Sequence, residues 1–421
     1  MNSPSAPVSF GAFVSASRDR GRLVVQPRMG FGDPERMRTG LAATRAARAA
    51  TVGTITLDSY TRVGDHAAAR RAIAAGGAAL NGYPIVARPA RETLDVLAGV
   101  RGHRFPVQVR HGSAGPQDIF RALLEVGLTA TEGGPVSYCL PYGRTPLSVS
   151  VANWRESTEI LAAHSGTEPE PHLETFGGCM LGQLCPPGML VAISLLEGLF
   201  FVRHGVRSVS LSYAQQTSPE QDREAVRALR RLAGEFLAGA DWHVVLYTYM
   251  GLYPRTPEGA RSVLRQAART CVSAGAERLI VKTEAEAHRI PTIGENVRAL
   301  ETAARAAEAE PPGTGGDPDS ETYAEARALV EGVLEHSDDV GDALLRAFAH
   351  GHLDIPFCLH PDNAGRVRSY IDDAGYLRWA DTGALPLPPV ARRADPGAVT
   401  SANLLSTLSY MERRHDSRVR G

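Results

Sequence analysis

The stretch from Val107 to Tyr142 constrains the fold more than any other, because it holds two short strand-like runs separated by an amphipathic helix. Each run ends in a charged residue. Val107–Val109 leads into Arg110, and Leu128–Thr131 leads into Glu132. Parallel α/β proteins bind ligands at the carboxyl ends of their strands. The pattern therefore predicts a strand–helix–strand unit whose arginine and carboxylate face one ligand, such as a zwitterion.

The rest of the chain continues this alternation, with about eight strand–helix pairs before residue 308. This number favours a (β/α)8 TIM barrel, in the α/β class, over an open sheet. We expect residues 1–308 to form the barrel with a short N-terminal extension, and 309–320, rich in Pro and Gly, to be a linker. Residues 321–421 are expected to add a C-terminal helix and a small α+β appendage. Neither a dinucleotide-binding nor a P-loop glycine motif follows any strand.

Composition excludes several classes of function. The 45 basic and 46 acidic residues nearly cancel, which argues against a nucleic-acid surface. No apolar run approaches 18 residues and the N-terminus lacks a secretion signal, so we expect a cytoplasmic protein without a membrane span. Five scattered cysteines predict buried thiols, with neither a disulfide framework nor a metal site.

Three arginines follow early strands: Arg28, Arg62 and Arg110. On neighbouring staves of a barrel they would converge above its mouth, where three positive charges require an anion. A dicarboxylate would pair with two of these guanidinium groups, and Glu132 would then bind an amine. The pattern therefore indicates a small acidic amino acid. The alternative is that these arginines form ordinary ion pairs at the outer rim.

Tyr138 and Tyr142, four residues apart after Glu132, offer hydroxyls on the same loop, although each is equally typical of a core tyrosine. His111 is more typical of a packing residue than of a base. Lys282, on a predicted strand over 278–286, is the only lysine among the 45 basic residues. Because guanidinium does not replace a compact ammonium, we predict a functional position for it; chance survival is the alternative.

Seven segments together resemble the large E, or epsilon, subunit of adenosylcobalamin-dependent glutamate mutase (methylaspartate mutase). They occur in the order of that family and span most of residues 20–390. They are QPRMG (26–30), TLDSYTR (56–62), LNGYP (80–84), QVRHG (108–112), TEGGPVSYCLPY (131–142), IVKTEAEAHRIPT (280–292) and DIPFCLHPDNAG (354–365).

The resemblance implies a (β/α)8 barrel and assigns roles to residues. Arg28, Arg62 and Arg110 would bind the substrate carboxylates. Glu132 would bind the ammonium, and both Glu132 and Arg62 would be catalytic residues. Tyr138 and Tyr142 would complete the substrate pocket. The residues matching the cofactor side are Gly30, Asn81, Phe176, Lys282, Glu286 and Ile290.

The implied activity is a radical carbon-skeleton rearrangement of L-glutamate to (2S,3S)-3-methylaspartate with adenosylcobalamin. The family's cobalt-ligating DxHxxG motif is missing from this sequence. The resemblance therefore implies a separate small cobalamin-binding subunit, with two large and two small chains. Two alternatives remain: a related mutase for another acidic amino acid, and a non-catalytic amino-acid-binding barrel.

Overall fold

Nine parallel strands form the main sheet of the computed structural model, which describes residues 8–77, 80–102, 104–141, 143–180, 182–313, 319–388 and 401–417. The strands are β1 (Val24–Gln26), β2 (Ala50–Thr51), β3 (Gly53–Thr56), β4 (Val107–Arg110), β5 (Ala130–Gly133), β6 (His172–Thr175), β7 (Ser208–Ala214), β8 (Asp241–Tyr247) and β9 (Arg278–Ile280).

The sheet closes because β2 and β3 are one stretch of chain interrupted only at Val52. β2 pairs with β1, and β3 pairs with β4. The remaining strands pair in chain order round to β9, which returns to β1. Counting β2 and β3 as one stave gives eight staves, so the predicted (β/α)8 TIM barrel is confirmed.

Helices surround this barrel. Along the barrel they are α1 (Phe10–Arg18), α2 (Pro34–Ala46), α3 (Ser59–Arg62), α4 (His66–Ala74), α5 (Ala90–Leu97), α6 (Gln117–Glu125), α7 (Leu147–Ala162), a 3₁₀ turn (Gly177–Cys179), α8 (Pro187–Arg203), α9 (Pro219–Phe236), α10 (Pro257–Ala274) and α11 (Ile293–Glu308). The C-terminal part adds α12 (Glu321–Leu334), α13 (Val340–His350), an antiparallel hairpin of β10 (Arg368–Ile371) and β11 (Leu377–Asp381), α14 (Ser401–Leu408) and α15 (Tyr410–Ser417).

Local sequence sets the helix ends. α9 and α10 each begin with proline after a hydroxyl residue whose oxygen accepts a hydrogen bond from the first turn. α10 ends at Gly275, whose φ of 88° is in the left-handed region that glycine adopts without strain. These caps place the start of each helix directly after a strand or its loop.

The C-terminal part packs on the barrel. Leu329 and Val330 of α12 belong to the same buried cluster as Leu195 and Leu196 of α8. Residues 314–318 of the expected linker lie outside the described residues. No helix in the described ranges is long and apolar enough to span a membrane.

One strand is shorter than the sequence predicts. The expected strand over 278–286 ends at Ile280, and Lys282 to Glu286 continue as a loop and turns. The physical reason is that β9 has strand partners only over its first three residues. The loop packs Lys282 inward, where it is buried.

Candidate active site

The three arginines lie at the carboxyl ends of three neighbouring staves. Arg28 follows β1, Arg62 ends the short helix α3 after β3, and Arg110 is the last residue of β4. The backbone links two of them, because Leu57 N donates to Arg110 O at 2.8 Å and Arg62 Nε donates to Leu57 O at 3.1 Å. The structure therefore brings all three to the same end of the barrel.

Arg110 and Glu132 are in direct contact in the buried interior of the barrel. Arg110 Nη2 lies 2.7 Å from Glu132 Oε2, and the two side chains are 6% and 1% exposed. The other guanidinium nitrogen, Nη1, is buried and has no hydrogen-bond partner. Burial alone would lower the pKa of Arg110, but the Glu132 carboxylate raises it. Arg110 thus stays charged and holds one donor free for a further acceptor.

Glu132 also contacts two tyrosine hydroxyls. Tyr138 donates to Glu132 Oε1, and the hydroxyl of Tyr247 lies 3.0 Å from Oε2. The Tyr247 hydroxyl also contacts Glu174 Oε1. Burial raises the pKa of Glu132, Arg110 opposes the shift, and the charge of Glu174 adds to it.

Beneath this group lies an ion pair between Glu174 of β6 and Arg278 of β9, with both side chains fully buried. Glu174 also accepts from Gln108 Nε2 at 3.2 Å and from Ser210 Oγ at 3.1 Å. Burial works against ionisation of Glu174, but Arg278 and Arg110 hold its pKa down to about 2. We call these connected residues the inner cluster: Arg110, Glu132, Tyr138, Glu174, Tyr247 and Arg278.

Arg28 lies in a separate group, which we call the rim cluster: Arg28, Lys282 and Glu286. Both Arg28 Nη1 and Lys282 Nζ lie 3.2 Å from Glu286 Oε1. The Arg28 side chain is 37% exposed, whereas that of Lys282 is 6% exposed and lies over the Tyr253 ring. Burial lowers the pKa of Lys282 to about 8, against the opposing effect of Glu286.

His111 packs as the sequence suggested. Its ring stacks on Trp154 at 5.9 Å and meets Phe120 edge-on, while Nδ1 accepts from Ser113 N. Burial, together with the charges of Arg62 and Arg110, lowers the pKa of His111 to about 3. It is therefore neutral near pH 7, and its buried Nε2 has no hydrogen-bond partner.

The other predicted site residues differ in burial and in contacts. Phe176 is buried between the rings of Tyr138 and Tyr247, at 4.9 and 5.5 Å. A side chain at Gly30 would meet Thr56 O at 2.1 Å, so this glycine lets the loop after β1 pack on β3. Asn81 is exposed, and its Oδ1 accepts from Ser59 N.

Two predicted residues remain. Ile290 is 61% exposed after β9. Tyr142 lies outside the described residues.

Sequence reasoning missed Tyr247, Arg278 and Glu197. Glu197 of α8 is fully buried and accepts backbone hydrogen bonds from Ser137 and Gly177, at 2.9 and 2.8 Å. It thereby ties the loop after β5 to the loop after β6. The signal in the sequence was a charged residue within an apolar run. Glu197 lies within a buried helix, and Arg278 is the first residue of a buried strand.

A family model described as "Methylaspartate mutase E chain (MutE)" matches residues 6–401. The chain belongs to this family.

Curated relatives carry the name "Glutamate mutase epsilon subunit". That of Haloarcula marismortui is 30% identical over 388 residues, covering 89% of this chain and 79% of the relative. That of Halobacterium salinarum is 32% identical over 350 residues, covering 80% and 73%. That of Yersinia enterocolitica is 30% identical over 350 residues, covering 79% and 72%. Among solved structures, a chain of Mycobacterium tuberculosis tryptophan synthase is similar over 71% of this chain and 98% of its own length, at 14% identity and a TM-score of 0.37.

The adenosylcobalamin expected from the family resemblance carries a nucleoside, and two side chains of the rim cluster could pair with its ribose. A carboxylate and a buried ammonium, Glu286 and Lys282, offer an acceptor and a donor of the kind that ribose hydroxyls pair with. No group of three metal-ligating side chains occurs within the described ranges.

Proposed function

We propose that this chain is the large catalytic subunit of an adenosylcobalamin-dependent glutamate mutase, an isomerase that converts L-glutamate to (2S,3S)-3-methylaspartate. Membership of the family and the covered 72–79% of the relatives' lengths support it. The observation that carries the proposal is the buried Arg110–Glu132 pair, whose Arg110 Nη1 has no partner. A charged donor buried without an acceptor is costly, so its presence favours an anionic ligand.

The same pair suits both ends of an α-amino acid. Glu132 takes the ammonium, and Arg110 Nη1 takes a carboxylate oxygen. Arg62, whose Nε donates to Leu57 O, then faces the second carboxylate with Arg28. Arginines suit this role because they hold carboxylates bidentately and stay protonated while the substrate carbon skeleton rearranges.

Phe176, Tyr138 and Tyr247 form a buried aromatic wall beside Glu132. Such a wall excludes water from the reacting carbons and strengthens the charge pairing around them. Lys282 and Glu286 would hold the adenosyl ribose at the rim. Adenosylcobalamin supplies the radical that starts the rearrangement.

A small cobalamin-binding subunit carrying DxHxxG would cover the mouth, because this sequence lacks that motif. Large apolar side chains are exposed on the loops there: Val63 after β3, Leu252 after β8 and Ile290 after β9, at 79%, 50% and 61%. Leu359, 90% exposed, lies beside the loop after β5, since Cys358 contacts Leu140 O. Exposed apolar groups gathered at one face favour a protein partner there, and we propose two large and two small chains.

The decisive experiment purifies the chain with a small DxHxxG subunit from the same genome and adenosylcobalamin, and follows glutamate and 3-methylaspartate by NMR. We expect interconversion that depends on both additions. Full turnover without the partner would overturn the subunit assignment. Turnover of another acidic amino acid alone would favour a retuned mutase, and tight glutamate binding without turnover would favour a binding barrel.

A variant, Glu132→Gln, sharpens this assay. It keeps the shape of the side chain but removes the charge that would hold the ammonium. We expect a KM for glutamate raised by roughly tenfold or more with the circular dichroism spectrum unchanged. Unchanged kinetics would assign Glu132 another role.

A further inference from the structure

The hydroxyl of Tyr247 stands between two carboxylates but carries one hydrogen. It lies 3.0 Å from Glu132 Oε2 and also contacts Glu174 Oε1. When it donates to one carboxylate, its oxygen lone pairs face the other. If the second carboxylate is ionised, no hydrogen lies between its oxygen and the tyrosine oxygen, and the two oxygens repel each other at this distance. A proton on the second carboxylate replaces this repulsion by a hydrogen bond.

The surroundings decide which carboxylate takes that proton. Arg278, Gln108 and Ser210 all donate to Glu174 Oε2, in addition to the Tyr247 contact at Oε1. Glu132 has Arg110 on one oxygen and Tyr138 on the other. Glu174 is therefore the better-satisfied anion, and its charge disfavours a second anion beside it.

We propose that Tyr247 is a positioning residue that sets the charge state of Glu132: it donates to Glu174 and accepts a proton carried by Glu132. In the free chain, Glu132 donates a hydrogen bond to the Tyr247 hydroxyl, and that hydroxyl donates to Glu174. An arriving ammonium favours the ionised form of Glu132, so that the proton leaves to solvent as the ligand binds. This last step rests on the proposed function, whereas the proton arrangement of the free chain does not.

The ionisable groups that face this site come from five elements. Arg110 comes from β4, Tyr138 from the loop after β5, Glu174 from β6, Cys179 from the 3₁₀ turn and Arg278 from β9. Burial raises the pKa of Glu132 above its ordinary value, in agreement with the arrangement.

Two tyrosine variants give opposite expectations. Tyr138 donates to Glu132, so Tyr138→Phe removes a donor from the carboxylate and should raise the pKa of Glu132 by about one unit. Tyr247→Phe removes the acceptor for the Glu132 proton and should lower that pKa by about one unit. If Tyr247 instead donates to Glu132, both variants raise the pKa.

The full-length chain is titrated by infrared spectroscopy, following the carbonyl stretch of protonated carboxyl groups. Subtracting the Glu132→Gln spectrum isolates Glu132 from other buried acids, such as Glu197 and Asp222, whose pKa values burial raises to about 7. A Glu132 signal that persists above the ordinary glutamate range, about pH 4.3, is expected in the wild type. Its absence overturns the proposal even if a variant fails to fold.

The matched control is Tyr249→Phe. Tyr249 is also fully buried, but its hydroxyl has no hydrogen-bond partner and its ring packs with Tyr253, Val263 and Met411. This variant should leave the Glu132 titration unchanged. A downward shift in Tyr247→Phe with an upward shift in Tyr138→Phe supports the proposal, and shifts in the same direction overturn it.

Adding L-glutamate then tests the proposed function separately. Loss of the Glu132 signal on addition, at constant pH, supports ammonium binding coupled to proton release. A signal that responds to the variants as expected but not to glutamate supports the positioning role and counts against the amino-acid substrate.

Discussion

The inner cluster and the rim cluster both join arginine to glutamate at the barrel mouth, yet they differ in burial. The Glu174–Arg278 pair is fully buried and spans β6 and β9, whereas Arg28 and Glu286 are 37% and 22% exposed. Breaking a buried pair leaves an uncompensated charge, while an exposed pair contributes little. The inner cluster is therefore built for rigidity, and the rim cluster can change partners when a ligand arrives.

This difference fits the proposed function, in which a small substrate lies inside and a larger cofactor outside. Residues that grip an amino acid need fixed geometry, which a connected buried network provides. In that proposal Arg28 meets the second substrate carboxylate from the rim, while Lys282 and Glu286 meet the ribose. Glu286, shared by Arg28 and Lys282 through one oxygen, keeps its other oxygen available.

The largest expected effect separates the two clusters by stability. Arg278→Met leaves Glu174 charged and unpaired, so we expect the free energy of unfolding to fall by about 3–5 kcal/mol. Arg28→Met should cost no more than about 1 kcal/mol. Urea titration followed by circular dichroism measures both. Equal losses would contradict the comparison.

A double variant sharpens the same measurement. Arg278→Met combined with Glu174→Leu removes both charges and should recover a large part of the lost stability, because the cost comes from the unpaired ion. Additive losses in the double variant would show instead that each side chain acts by packing alone.

The next effect concerns the substrate grip. Arg110→Lys replaces a planar fork by a single ammonium, which cannot bind Glu132 and a ligand carboxylate in the same directions. We expect kcat/KM of the assembled enzyme to fall by roughly 10- to 100-fold. Arg121→Lys, at a half-exposed arginine paired with Glu156, is the control and should leave it unchanged. Near-wild-type turnover would count against the grip.

The smallest effect is measured at the rim. Because Lys282 is the only lysine, protein labelled with 13Cε-lysine gives one signal, and we expect it to titrate near pH 8. Glu286→Gln removes the carboxylate that favours the charged amine and should lower this pKa by about one further unit. Glu284→Gln, whose carboxylate pairs with Arg261, should not move it.

The same shift predicts how stability depends on pH. Folding lowers the pKa of Lys282, so its buried charge destabilises the fold below about pH 8. As the pH rises from about 8 towards the ordinary lysine value, the folded chain loses this proton before the unfolded chain does. The contribution to the free energy of unfolding should therefore rise over that range relative to Lys282→Met. A titration near the ordinary value would show that the ammonium is solvated.

Sequence reasoning predicted the barrel and the strand-end charges because both have short-range signals. Arg110 and Glu132 each follow a β-rich run directly, and the strand–helix alternation is local. Tyr247 gave no such signal, and the charge of Arg278 at the start of a buried strand did not indicate its partner. Their partner Glu174 lies 73 and 104 positions away, and which strand residues point inward depends on how the sheet closes.

The local sequence pattern also gave one wrong prediction. The apolar run before Lys282 suggested a strand through residue 286, but strand length is set by the neighbours available for pairing, which end at Ile280. The predicted roles of Gly30, Asn81 and Ile290 remain predictions, since the structure gives Gly30 and Asn81 local structural partners.

Closure of the barrel has a consequence for how the protein is made. β1 completes the ring only by pairing with β9, and Gln26 meets Arg278 across 252 positions of chain. Arg28 therefore has no Glu286 or Lys282 beside it while the ribosome is still synthesising the chain between them. A growing polypeptide contains the three arginines of the proposed substrate grip early, and gains the part of the mouth that would face a nucleoside only near the end of barrel synthesis.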